Sequence, residues 1–204
     1  MDTKHRILDE ALTLFANKGY ANVYVSEIAE KVGIKAPSLY KHYKNKKAIF
    51  DAIIEEMDSR YKSQAGSFNL NGINPMNDFD LYTDISEDEL VQIGTGLFMY
   101  FLHDDYTNRF RKILTIEQFS NGDFSKLFSS QYFDEPFSYQ KMLLGMLITS
   151  GSLKEGNIDA MTLQFYSPIY LLLTLCDREP SREEEALKLL ELHIRQFARI
   201  YKGK

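Results

Sequence analysis

Fifteen consecutive residues, Val25 to Leu39 of a 204-residue chain, place small and apolar side chains at the intervals of two closely crossing helices. With Val25 counted as the first place, Ile28, Val32, Ile34 and Leu39 stand fourth, eighth, tenth and fifteenth, with Ala29 fifth and Gly33 ninth. A small fifth residue lets the two helices approach, a ninth glycine eases the turn, and the apolar places seat both helices on a preceding one. That preceding helix is signalled too. Ile7, Leu8, Ala11, Leu14 and Phe15 recur at helical spacing over about residues 3–18, and Gly19 ends the run.

Helical signals continue along the chain. A short helix at 25–32 is followed by a turn at Gly33-Ile34 and a second short helix at 36–43, with Pro37 in its first turn, where a missing N–H does no harm. From Lys46 to about residue 62, Phe50, Ile53, Met57 and Tyr61 give a helix one buried face. Residues 66–80 hold four Asn, two Gly and a Pro without helical period and read as a loop. Ser86 with Glu89 forms a capping box for a helix to about His103, and further helices are predicted at 107–120, 124–131, 135–150, 158–177 and 181–202. The last is expected to open on a second box, Ser181 with Glu184. No strand pattern competes, so the fold class is all-α, with about nine to ten helices.

Composition narrows the class. A 44% hydrophobic content supports a sizeable core, and the single Cys176 cannot form an intramolecular disulfide. "MDTKHRILDE" is charged where a signal peptide needs an apolar stretch, and the apolar run Phe165–Cys176 falls well short of the ~20 residues of a membrane span. The expectation is a cytoplasmic protein without membrane contact. Charge is unevenly placed: residues 1–47 carry nine Lys/Arg against five Asp/Glu, whereas the remainder carries fifteen against twenty-four. A basic N-terminal end in an acidic chain can face a polyanion. His5, His103 and His193 lack ligand spacing, so no metal or other cofactor is expected. No nucleophile motif, H-E-x-x-H or glycine-rich phosphate loop supports an enzyme.

A helix pair of this spacing also occurs in domains that never touch DNA. The residues around and after the pair are more specific. "RILDEALTLFANKGY" and "VSEIAEKVGIKAPSLYKHYKNKKAIF" resemble the N-terminal pattern of the TetR (tetracycline repressor) family of bacterial transcriptional regulators, nearly position for position over residues 4–50. "LTIEQFSN", "LQFYSPIYLLLTL" and "LELHIRQFARIY" look like C-terminal segments of some members. The resemblance implies a three-helix helix-turn-helix DNA-binding domain over 1–47 and a helical effector-binding and dimerisation domain over 48–204.

Carried onto this chain, it puts Lys35, Ala36, Pro37 and Ser38 at the start of the recognition helix. Ser38 can donate to or accept from a base edge, Ala36 and Pro37 offer apolar contact, and Lys35 and Lys41 flank them. Tyr40, His42 and Lys46 match positions that hold the DNA backbone. Tyr43 is expected in the core, and Lys44 and Lys47 as solvated charges. One departure stands out: family members commonly place Thr or Ser where this chain has Val23, Tyr24 and Val25, so Tyr24 or Ser26 must supply the phosphate contact of those hydroxyls.

The family works as a homodimer on near-palindromic operator DNA. In the last helix Leu187, Leu190, Ile194, Phe197 and Tyr201 run at steps of three and four, while Ala186, Leu189, His193 and Ile200 mark a second partly apolar face. One face satisfies the core and the other needs a partner. With Tyr170 of the preceding helix, the first stripe is expected at the dimer interface. For a small-molecule effector of unknown identity, Phe98, Leu102, His103, Phe110, Leu114, Glu117, Tyr139, Met142, Met146, Phe165 and Tyr166 are the candidate contacts, though the same side chains suit a plain core. The expected function is a DNA-binding repressor released by its effector. The alternative is a dimeric all-α ligand-binding or adaptor protein without active DNA binding.

Overall fold

The computed structural model describes residues 2–119 and 122–203. Among them the chain is helical: α1 Thr3–Lys18, α2 Val25–Val32, α3 Ala36–Tyr40, α4 Lys46–Ser67, α5 Pro75–Thr83, α6 Glu87–His103, α7 Asp105–Glu117, α8 Gly122–Ser129, α9 Glu135–Thr149, α10 Ile158–Arg178 and α11 Glu183–Tyr201. A π-helical turn, Ser130–Asp134, joins α8 to α9. The all-α expectation is met. Ser120, the expected end of the helix from Thr107, lies outside the described residues.

Contacts divide the chain into two compact units, Met1–Arg60 with Asp104–Phe128, and Tyr61–His103 with Ser129–Lys204. In the first, α1 buries Ile7, Leu8, Ala11, Leu12, Leu14 and Phe15. Ile28, Ala29 and Val32 of α2, Leu39 of α3, and Phe110, Ile113 and Leu114 of α7 are buried as well. An aromatic cluster lies among them: Tyr20 sits 5.0 Å from Phe15, 5.3 Å from Phe50 and 5.1 Å from Phe124 between ring centres.

The second unit is built on α6, α9, α10 and α11, with Val91, Phe98, Leu172, Leu173, Cys176, Ala186, Leu190 and Ile194 forming one core cluster. Two glycines of α6 permit its close packing. A Cβ at Gly94 would come within 2.5 Å of Ile194 Cδ1, and one at Gly96 within 2.3 Å of Phe68 Cζ.

Several boundaries differ from expectation for identifiable reasons. Helix α5 takes residues 75–80 of the predicted loop, because Asn74 caps it by accepting the Met76 N–H, Pro75 starts it, and Asp78 within it is buried. The Asp78 carboxylate takes the backbone N–H groups of Asn71 and Gly72 and the Tyr139 hydroxyl, 2.7 Å away, so it ties α5, the turn before it and α9 together. The Ser86–Glu89 capping box is present in both directions. The Ser181 box is not. A 3-10 turn, Pro180–Arg182, takes its place and α11 begins one residue later without a side-chain cap. Helix α7 begins at Asp105, two residues before the expected start, because the Asp104 side chain caps it by accepting the Thr107 N–H.

Candidate nucleic-acid interface

The turn between α2 and α3 follows from Gly33. Its φ of 77° and ψ of 31° lie in the left-handed region, where a side chain is strained, and the Ile34 N–H reaches back 2.9 Å to the Ala29 carbonyl. Ala29 beneath this turn is buried, as small-residue spacing required. Helix α3 has only five residues, opened by Lys35 in extended conformation, with Pro37 where no amide is needed. Leu39 and Tyr43 anchor it inward. Burial pushes the Tyr43 hydroxyl up to about 12, and its oxygen has no hydrogen-bond partner among the described residues.

With those two side chains fixed, the rest of the segment turns outward. Lys35, Pro37, Tyr40, Lys41 and His42 are exposed, and Ala36 and Ser38 are half-buried beside them. One face therefore gathers three positive or protonatable groups, two hydroxyls and an apolar edge, without a carboxylate in the segment 35–46.

Lys46 departs from its expected role. Its ammonium donates to the carbonyls of Tyr20 at 2.7 Å and Val23 at 2.9 Å and lies over the Tyr20 ring, so it is spent on the loop before α2 rather than offered to a DNA backbone. Burial lowers its pKa, and the Glu117 charge acts against that shift. The missing hydroxyl cap on α2 is replaced from the other side: the Glu27 carboxylate accepts the Tyr24 N–H at 3.2 Å and pairs with Lys18. Tyr24 and Ser26 remain exposed. The Lys18 contact and the Tyr24 N–H hold the Glu27 carboxyl below its usual range.

The candidate effector residues are divided between the two units. Phe110, Leu114 and Glu117 belong to the first unit and are buried there. In the second, Phe98 is core, Leu102 packs against the same cluster, and His103 is an exposed partner of Glu183 at 2.9 Å. Tyr139 binds Asp78, Tyr166 donates to the Tyr132 carbonyl at 2.8 Å, and Phe165 packs on Phe197 at 4.9 Å between ring centres. Met142 and Met146 line a shallow surface recess with Phe79 and Ile158.

The candidate dimer stripe needs a correction. Leu190, Ile194 and Phe197 are 0, 1 and 7% exposed within a single chain, because this stripe is the one α11 lays on its own core. Leu187, Tyr170 and Tyr201 are half-buried. The apolar side chains left exposed are Leu163 and Leu171 of α10 and Leu189, Leu192 and Ile200 of α11.

A short outward-facing helix, reached through a glycine turn from an α2 that packs on α1, defines the class: an all-α protein with an N-terminal helix-turn-helix. Residues 7–53 match the model of the bacterial regulatory proteins of the tetR family. Over 52 residues the chain is 44% identical to the biofilm operon icaADBC HTH-type negative transcriptional regulator IcaR of Staphylococcus epidermidis, which covers 26% of this chain and 28% of that protein. The chain thus matches little more than a quarter of that relative's length. Over the whole chain the likeness is one of fold. SmeT, the repressor of the Stenotrophomonas maltophilia multidrug efflux pump SmeDEF, superimposes with a TM-score of 0.67 at 18% identity, over 100% of this chain and 92% of SmeT. The SmeT–triclosan complex gives 0.69 at 19%, over 100% and 93%.

Proposed function

We propose that the protein is a transcriptional repressor that binds operator DNA through α3 as a homodimer and releases it when a small-molecule effector binds. The observation that carries this reading is the division of labour in residues 35–43. Leu39 and Tyr43 are buried, while Lys35, Pro37, Tyr40, Lys41 and His42 face solvent on a segment without carboxylates. In the major groove Ala36, Pro37 and Ser38 meet base edges, Lys35 and Lys41 reach a base or phosphate, and Tyr40 and His42 hold the backbone, with Tyr24 and Ser26 adding contacts from the start of α2. Residues 1–47 carry this activity, and the part from residue 48 onward carries effector binding and dimerisation.

The second copy sits on the exposed apolar residues Leu163, Leu171, Leu189, Leu192 and Ile200, with the half-buried Leu187, Tyr170 and Tyr201 at the margin. Support for an effector is the fold shared with SmeT and its triclosan complex. Release requires that the effector prefer the non-binding conformation, and a tenfold loss of DNA affinity needs ~1.4 kcal/mol of that preference.

The test is selection of a duplex from a random-sequence pool. A near-palindromic site bound by two copies, with affinity falling steeply as salt rises, is the expected result. Tyr40→Ala or Lys41→Ala should then weaken binding without unfolding the protein, and the lysine variant should also lower the salt slope by about one. Enrichment of no site, or binding insensitive to salt, refutes the reading.

A further inference from the structure

The loop between α1 and α2 is held from two sides by groups of opposite charge. From the end of α7, Glu117 Oε1 accepts the Tyr20 N–H at 2.8 Å across 97 residues of sequence. From the start of α4, Lys46 takes the carbonyls of Tyr20 and Val23. Gly19, with φ of 81°, lies so close to the carboxylate that a Cβ there would stand 2.8 Å from the same Oε1. Glu117 is buried, so little water competes for the contact.

This grip has a functional address. The loop delivers the chain into α2, which begins without a side-chain hydrogen bond from its own N-cap residue, and α2 carries α3 through the Gly33 turn. The direction in which α3 presents its outward residues is therefore set by how the loop is anchored. We propose that Glu117 is a positioning residue for DNA binding, which fixes the 19–23 loop through the Tyr20 amide and so orients the helix-turn-helix. The proposal rests on the reading of α3 as the DNA-contacting helix. It also makes α7 a place from which DNA affinity can be changed without touching any DNA contact.

Two measurements on full-length Glu117→Ala test it: hydrogen exchange at the Tyr20 amide, and affinity for the duplex that the wild-type protein selects from a random pool. The expected result is exchange at least tenfold faster at Tyr20 with α1 amides unchanged, and at least tenfold weaker binding with an unaltered salt slope, because no phosphate contact is removed. Glu117→Gln, whose amide oxygen can still accept the Tyr20 N–H, should recover most of both. If Glu117→Ala also exposes the α1 amides, Glu117→Asp, which withdraws the carboxylate by one methylene, is read by the same criteria. A Tyr20 amide that loosens while affinity stays at the wild-type value overturns the proposal, as does an amide that stays protected. Failure of the wild-type protein to select any duplex overturns the DNA reading instead, and the exchange measurement separates the two.

Discussion

Lys46 Nζ stands 4.4 Å from the centre of the Tyr20 ring and 2.7 Å from the carbonyl oxygen of the same residue. One ammonium thus satisfies backbone acceptors of a loop that has no regular structure, and it does so against an aromatic face. Lys46→Met keeps the apolar stem and removes every donor. The variant should lose about 1.5–3 kcal/mol of stability, the range for hydrogen bonds made by a charged group, measured as a lower urea midpoint. Its DNA affinity should fall while the salt slope stays constant. A slope reduced by about one would mean that the ammonium leaves the carbonyls for a phosphate in the complex.

Tyr43 buries a hydroxyl that finds no partner among the described residues. Tyr43→Phe should therefore be more stable by about 1 kcal/mol, since the desolvation penalty of that oxygen disappears. The raised pKa gives a second readout. A group whose folded value lies above its unfolded value supports folding below about pH 10, and that support drains away as pH rises toward about 12. Alkaline unfolding curves should show this loss in the wild type and less of it in the variant.

The two faces of α11 make opposite predictions. Leu190→Ala empties a fully buried site and should cost about 2–5 kcal/mol in chemical unfolding. Leu192→Glu or Leu171→Asp alters side chains that are 64 and 66% exposed, so the fold should tolerate either. Sedimentation should instead report a shift from dimer to monomer. Unchanged sedimentation in both would remove this surface from the proposed dimer.

Glu87 at the start of α6 receives Arg199 at 2.8 Å and Arg195 at 3.0 Å, and these hydrogen bonds lower its pKa. A carboxylate whose folded pKa is depressed supports folding above its unfolded value of about 4.3, and that support is lost as pH falls through the folded value. Thermal midpoints should drop below about pH 4 more steeply in the wild type than in Glu87→Gln, with the two curves parallel between pH 6 and 8.

Local spacing is what the sequence makes legible. The six positions from Ile28 to Leu39, the Gly33 turn and the Ser86–Glu89 box all depend on neighbours within a few residues, and each is readable from the order of residues alone, whereas the inward Tyr43 is expected from the family resemblance. Helix α5 is readable only in part: the Asn74 cap and the Pro75 start are local signals, whereas the contact of Asp78 with Tyr139 spans 61 residues. Ser181 looks like a cap because the pattern cannot show that Pro180 draws the preceding turn into a tighter helix. The stripe on α11 shows a different limit: apolar residues at steps of three and four mark a buried face without saying whether the same chain or another one buries it. Glu117 and Lys46 read in sequence as charged groups awaiting a ligand and a phosphate, yet backbone groups far off in sequence engage both.

The glycine pair on α6 has a mechanical meaning. Gly94 and Gly96 lie two residues apart, roughly 200° around the helix, so Ile194 and Phe68 enter it from nearly opposite sides. A shaft keyed on both sides cannot turn or slide by a residue without first withdrawing its keys. Within its unit, α6 is thereby restricted to motions in which Phe68 and Ile194 travel with it, and larger side chains at either glycine would force those keys out.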